Sequence, residues 1–163
     1  MFKKILVPLD GSELAAKILP QVAQLAKAFD SQITLIHIFH TVAFAVGEAA
    51  PSVVETAPVA EKKACEAFLS KVSQDLQSQG VNVNWVCVEG VPAREIINYA
   101  DTNNFDLIAM ATHGKGEVAW VLGSVAEKVV THATVPVLLF RVMEAKPLYT
   151  KEEFLELLAR GIP

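Results

Sequence analysis

The chain is poor in charge: Asp, Glu, Lys and Arg make up 20% of its residues, and the slight acidic excess leaves a net charge of −4. No block of five or six like charges occurs anywhere along it. A nucleic-acid footprint is a basic stripe or patch, so that class of partner is excluded. Long hydrophobic runs are missing too, and no stretch approaches the roughly 20 consecutive apolar residues that cross a bilayer. Near the start, Ile5-Leu6-Val7 is broken by Pro8 with no small-residue cleavage site after it. Three apolar residues are too few for a signal-peptide core, so the expectation is a cytoplasmic protein without a membrane segment. Cysteine is scarce as well. Cys65 and Cys87 stand in no C-x-x-C and beside no histidine cluster. They are read as two buried free thiols rather than as redox or metal groups.

Several chemical motifs are also lacking. Without a G-x-x-x-x-G-K-[ST] the chain has no P-loop. Gly114-Lys115-Gly116-Glu117-Val118-Ala119 matches the G-x-G-x-x-A of dinucleotide sites. It follows the fourth strand-like segment instead of the first, however, and no acidic residue stands at the next strand's end. Ser12 lies in no G-x-S-x-G elbow, and no histidine is placed beside a nucleophile. His113 and His132 are read as structural and the two tryptophans, Trp85 and Trp120, as packing residues. The expectation is a protein that is not an enzyme.

What the chain does have is apolar residues, 52% of its length. That is enough for a sizeable core and too many for disorder. The 163 residues fit one domain. Strand-like and helical segments alternate. Strands are read over Lys4–Leu9, Ile33–Phe39, Val81–Val88, Asp106–Ala111 and Val137–Val142. Helices are read over Glu13–Phe29, Val59–Gln79, Pro92–Asn103 and Ser124–Ala133. The stripe Ile18, Leu19, Val22, Leu25, Ala26, Phe29 has helical spacing, as does Ala64, Cys65, Phe68, Leu69, Val72, Leu76. Gly80 closes the second helix as a C-cap. Residues 40–58 have no clean period and are read as a long, mobile connection. Val81, Val83 and Trp85 alternate with Asn82 and Asn84, which suits a strand near a sheet edge. Ser124 and Glu127 are spaced as a capping box, as are Thr150 and Glu153 ahead of a C-terminal helix that stops at Gly161.

Alternating strands and helices predict a doubly wound parallel sheet with helices on both faces. Ligands of such sheets bind at the carboxyl ends of the strands, where strand order reverses. Two such ends carry polar residues: Asp10-Gly11-Ser12, and the loop from Ala111 to Ser124. Glycines and a helix start in that loop are suited to a phosphate. Asp10 is read either as a turn or cap residue or as a carboxylate accepting hydrogen bonds from a base or sugar. Lys115 is either a solvated loop lysine or a phosphate counter-charge. Ser124 can cap its helix and present donors to a phosphate at once.

Several separate stretches resemble the universal stress protein family, over about residues 2–142. They are Lys3-Lys4-Ile5-Leu6-Val7-Pro8-Leu9-Asp10-Gly11-Ser12, Leu35-Ile36-His37-Ile38, Glu89-Gly90-Val91-Pro92-Ala93, Thr112-His113-Gly114, Gly123-Ser124-Val125-Ala126-Glu127-Lys128-Val129 and Pro136-Val137-Leu138-Leu139. The resemblance implies a five-stranded parallel sheet in the order 3-2-1-4-5, with residues 1–142 as the domain and 143–163 as a tail bearing a short helix. It also implies a homodimer through the edge strand Val137–Phe140 and an adenine nucleotide (ATP, or ADP or AMP) as ligand. Carried over, Asp10 and Ile38 contact the adenine–ribose part, flanked by Pro8 and Leu9. Gly114, Gly123 and Ser124 hold phosphates, with Ala111, His113, Lys115 and Val125 beside them. The chain departs from the family motif G-x-x-G, nine residues, G-[ST] in two places. Its first glycine is Ala111, and only Lys115 to Leu122 separate Gly114 from Gly123, eight residues. The implied function is a regulatory or stress-tolerance module that binds a nucleotide. The alternatives are a family member that works by protein–protein contact without a nucleotide and, at most, a slow ATPase.

Overall fold

The computed structural model describes residues 2–39, 56–113, 122–142 and 151–160. Five strands form one parallel sheet: β1 Lys4–Pro8, β2 Gln32–Phe39, β3 Val83–Glu89, β4 Leu107–Ala111 and β5 Val137–Phe140. Their order is β3-β2-β1-β4-β5. Ile5 lies opposite Ile33 on one side and Leu107 on the other, so β1 is central. The helices are α1 Glu13–Ala16, α2 Leu19–Phe29, α3 Thr56–Ser78, α4 Pro92–Thr102, α5 Ser124–His132 and α6 Lys151–Ala159.

The period of two splits each strand between two cores. Ile5, Val7, Ile33, Leu35 and Ala109 pack with Ile18, Val22, Leu69 and Leu76 of α1 to α3 and their linker. Leu6, Ile36, Ile108 and Met110 pack with Ile96, Ala100, Ala126 and Val129 of α4 and α5. β4 is buried along its whole length, as expected of a strand covered on both faces. β3 lies at the sheet edge, as its alternation predicts. The expected C-cap at Gly80 is a Schellman motif. Gly80 has φ +78, its N–H donates to Gln77 O (2.9 Å), and Val81 N–H donates to Leu76 O (3.2 Å).

Four expectations need correction. The helix read over Glu13–Phe29 is two helices, because Pro20 has no N–H to give to Ala16 O and its ring crowds that carbonyl. The chain breaks at Lys17-Ile18 and restarts with the proline in the first turn of α2. Phe29, placed on the inward stripe, is 38% exposed and sets its ring edge-on to Phe2. Trp85, read as packing, is also 38% exposed because the edge strand has a neighbour on one side alone. Cys65 and Cys87 are joined in a disulfide, with Cα atoms 6.2 Å apart, and are not free thiols. The crossover that lays α3 over β3 brings them together, and spacing along the chain gives no hint of it.

The connection 40–55, Gly114, Lys115, Trp120, Thr150 and Gly161 lie outside the described residues. No described helix is long and apolar enough to cross a membrane.

Candidate functional site

Strand order reverses between β1 and β4, and a crevice opens at their carboxyl ends. Its volume is about 290 Å³. Of the site residues expected from the sequence, Pro8, Leu9, Asp10, Ile38, Ala111, His113, Gly123, Ser124 and Val125 line it. Gly114 and Lys115 lie outside the described residues.

One wall is the turn after β1. Leu9 N–H continues the ladder to Ile36 O (2.9 Å), and the chain then turns at Gly11, φ +78. Asp10 Oδ1 accepts from Ser12 N–H (2.9 Å) and from Ser12 Oγ–H (2.5 Å). Ser12 Oγ in turn accepts from Ala15 N–H (3.0 Å), capping α1. The turn reading of Asp10 therefore holds, with Ser12 as the cap. It does not compete with a ligand role, since the same bonds fix where the carboxylate stands at the crevice.

The opposite wall is the end of β4 and the start of α5. Thr112 N–H donates to Phe140 O (2.9 Å), and Gly123 N–H donates to Thr112 O (2.9 Å). These bonds fasten both ends of the segment that leaves β4 and returns as α5. His113 is buried, with Nδ1 2.9 Å from Thr112 Oγ1. The capping box expected at Ser124 is absent. Gly123 is the N-cap, without a side chain to bond, and Ser124 is the first helical residue. The first intrahelical bond runs from Glu127 N–H to Gly123 O (2.8 Å). The N–H groups of Ser124, Val125 and Ala126 thus precede it and have no carbonyl within the helix, which is the arrangement that suits an anion. The Gly123 N–H is turned to Thr112, so Gly123 serves by its shape and by where it starts the helix.

Between these walls the lining is apolar. Ile36, Pro92, Ile96 and Met110 belong to it and were not singled out from the sequence. A partial signal existed: Ile36 shares a strand face with Ile38, and Ile96 lies one helical turn from Pro92. Which helix face meets which strand end is set by the crossovers. Ala111 is 7% exposed, packs in the core on the α1–α3 side and also borders the crevice. Among the described residues no group of His, Cys, Asp and Glu is arranged to hold a metal ion.

This arrangement can hold a flat apolar ring between aliphatic side chains, with a carboxylate at one end and helix N–H groups at the other. Known proteins agree with the architecture. The universal stress protein MJ0531 of Methanocaldococcus jannaschii is 35% identical over 142 residues, covering 86% of this chain and 83% of that protein. The solved structure of MJ0577, also from M. jannaschii, superposes with a TM-score of 0.77 at 27% identity, covering 89% of this chain and 99% of that one. A universal stress protein in complex with cAMP has a TM-score of 0.64 at 20% identity, covering 87% and 98%. One from Archaeoglobus fulgidus in complex with dAMP has a TM-score of 0.57 at 17% identity, covering 85% and 98%. The last two share the fold. The model of the universal stress protein family matches residues 1–141, and the chain belongs to that family.

Proposed function

We propose that this universal stress protein binds an adenine nucleotide, ATP or its di- or monophosphate, in the crevice between β1 and β4 and acts as a regulatory module. One observation carries the reading. Asp10 and the first residues of α5, Ser124 to Ala126, whose N–H groups have no carbonyl within the helix, line one crevice together with aliphatic side chains. A carboxylate accepts from ribose hydroxyls or a base amine, aliphatic walls suit a purine, and helix-start N–H groups suit phosphate. The cAMP and dAMP complexes of proteins with this fold lend support. Ala111 does not oppose it, because its methyl contributes to the core as well as to the crevice rim. The edge strand β5, partly exposed at all four residues, is the surface through which a second copy would pair. Light scattering on the purified chain checks this, and a monomer at micromolar concentration defeats it.

Calorimetry on protein stripped of co-purified ligand tests the nucleotide reading. Heat of binding with ATP, ADP or AMP is expected, and none at high micromolar concentration overturns it. That outcome would favour contact with another protein. The feature behind this second reading is α6, which lies beyond the matched residues and exposes Leu155 and Leu158, one turn apart.

A further inference from the structure

The disulfide joins two parts of the fold that differ in how well they are held. Along α3, the side chains from Val59 to Ala64 are exposed. Cys65, at 3% exposure, is the first buried side chain among the described ones of the helix, and Leu69 and Leu76 continue the buried stripe. Cys87 sits on the outermost strand, β3, opposite His37, and is partly exposed. The bond therefore ties the helix to the sheet edge at the point where its packing begins. Beside it is a cavity of about 310 Å³ lined in part by Asp10, His37, Glu61, Cys65 and Phe68. His37 Nδ1 lies 2.7 Å from Leu9 O, and its ring packs edge-on against Phe68.

We infer that Cys65 and Cys87 form a reversible redox site whose oxidised state clamps the first turns of α3 to the sheet edge and whose reduced state releases them. Two observations separate this from a purely structural bond. The core is large without it, with fully buried Ile5, Leu6, Ile18, Ile33, Leu35, Ile36, Leu69 and Ile108, so the fold is not a small one that depends on a staple. Cys87 also lies on an edge strand and is partly exposed, which gives an outside thiolate a side from which to approach.

The chemistry balances with a dithiol reductant and a small-molecule disulfide oxidant. A reductant thiolate attacks Cys87 Sγ, the S–S bond breaks, and its electron pair leaves on Cys65 Sγ, which takes up a proton. The second reductant thiol resolves the mixed disulfide, releases Cys87 as a thiol and leaves the reductant as a disulfide. Oxidation by glutathione disulfide runs the exchange backwards and yields two molecules of glutathione. The described side chains before Cys65, Val59 to Ala64, are exposed, so this bond governs the local opening of that stretch.

The test uses the full chain in glutathione buffers of graded ratio, without denaturant. Free thiols are counted by mass after alkylation, and amide hydrogen exchange is followed along α3. The bond is expected to open and close within the native protein. On opening, exchange over residues 56–68 should quicken by about tenfold or more, with a smaller change over 69–78. The double variant Cys65→Ala/Cys87→Ala should exchange like the reduced protein in every buffer; reduced wild type makes the same comparison if the variant folds poorly. Two free thiols in the most oxidising buffer would overturn the inference. So would a bond that opens only in denaturant, or exchange over 56–68 that ignores the redox state.

Discussion

Ser12 does two things in the turn after β1. It caps α1 through Ala15 N–H and holds Asp10 Oδ1 with both its N–H and its hydroxyl. Ser12→Ala removes the cap and one of the bonds to the carboxylate, which should cost about 1–2 kcal/mol in urea unfolding. Nucleotide affinity should fall as well, because Asp10 loses one of the bonds that position its carboxylate. Ala111 makes the opposite case. Restoring the family glycine by Ala111→Gly removes a buried methyl and loosens a central strand, for an expected loss of about 1–2 kcal/mol in the same measurement. If the methyl is a core group first, nucleotide affinity in the glycine variant should be no lower than in the parent. Both residues were conspicuous in the sequence. The direction of the Gly123 N–H was not, since it depends on where the segment after β4 returns.

Among the elements, α3 and the stretch before β2 show where periodicity succeeds and where it stops. The stripe of Cys65, Leu69 and Leu76 is a helical pattern and packs as one. The stripe that predicts a single helix from Glu13 to Phe29 has equally good spacing, and one missing N–H at Pro20 splits it. Ser124 shows a second limit. A serine three residues before a glutamate satisfies the capping-box pattern, yet the helix begins one residue earlier than that pattern requires. Pattern fixes the face of a helix better than its ends. The disulfide belongs to this scale too, because it closes a loop of 22 residues between α3 and β3. Closing a loop of that size stabilises by about 3 kcal/mol in the chain-entropy account. Cys65→Ala/Cys87→Ala should lower the unfolding free energy by about that amount under oxidising conditions. Under reducing conditions it should do far less.

For the whole molecule, a ligand bound only by the folded state raises thermal stability by mass action. ATP at 100 times its dissociation constant adds about 2.7 kcal/mol, which in a chain of this size moves the melting temperature up by about 5–10 °C. A melting curve with and without ATP checks this, and Ser12→Ala should shrink the shift at the same ATP concentration. The sequence alone determined the class of fold and the family, because both rest on local facts. Strand–helix alternation forces parallel strands and covered faces, and short runs such as Val7-Pro8-Leu9-Asp10 and Gly123-Ser124-Val125-Ala126 are read without knowing their neighbours. The tertiary structure decided which aliphatic side chains line the crevice, where the Gly123 N–H points and that Cys65 meets Cys87. Each of these is a contact between residues far apart along the chain. A pattern within one element carries no information about the crossover that brings two elements together.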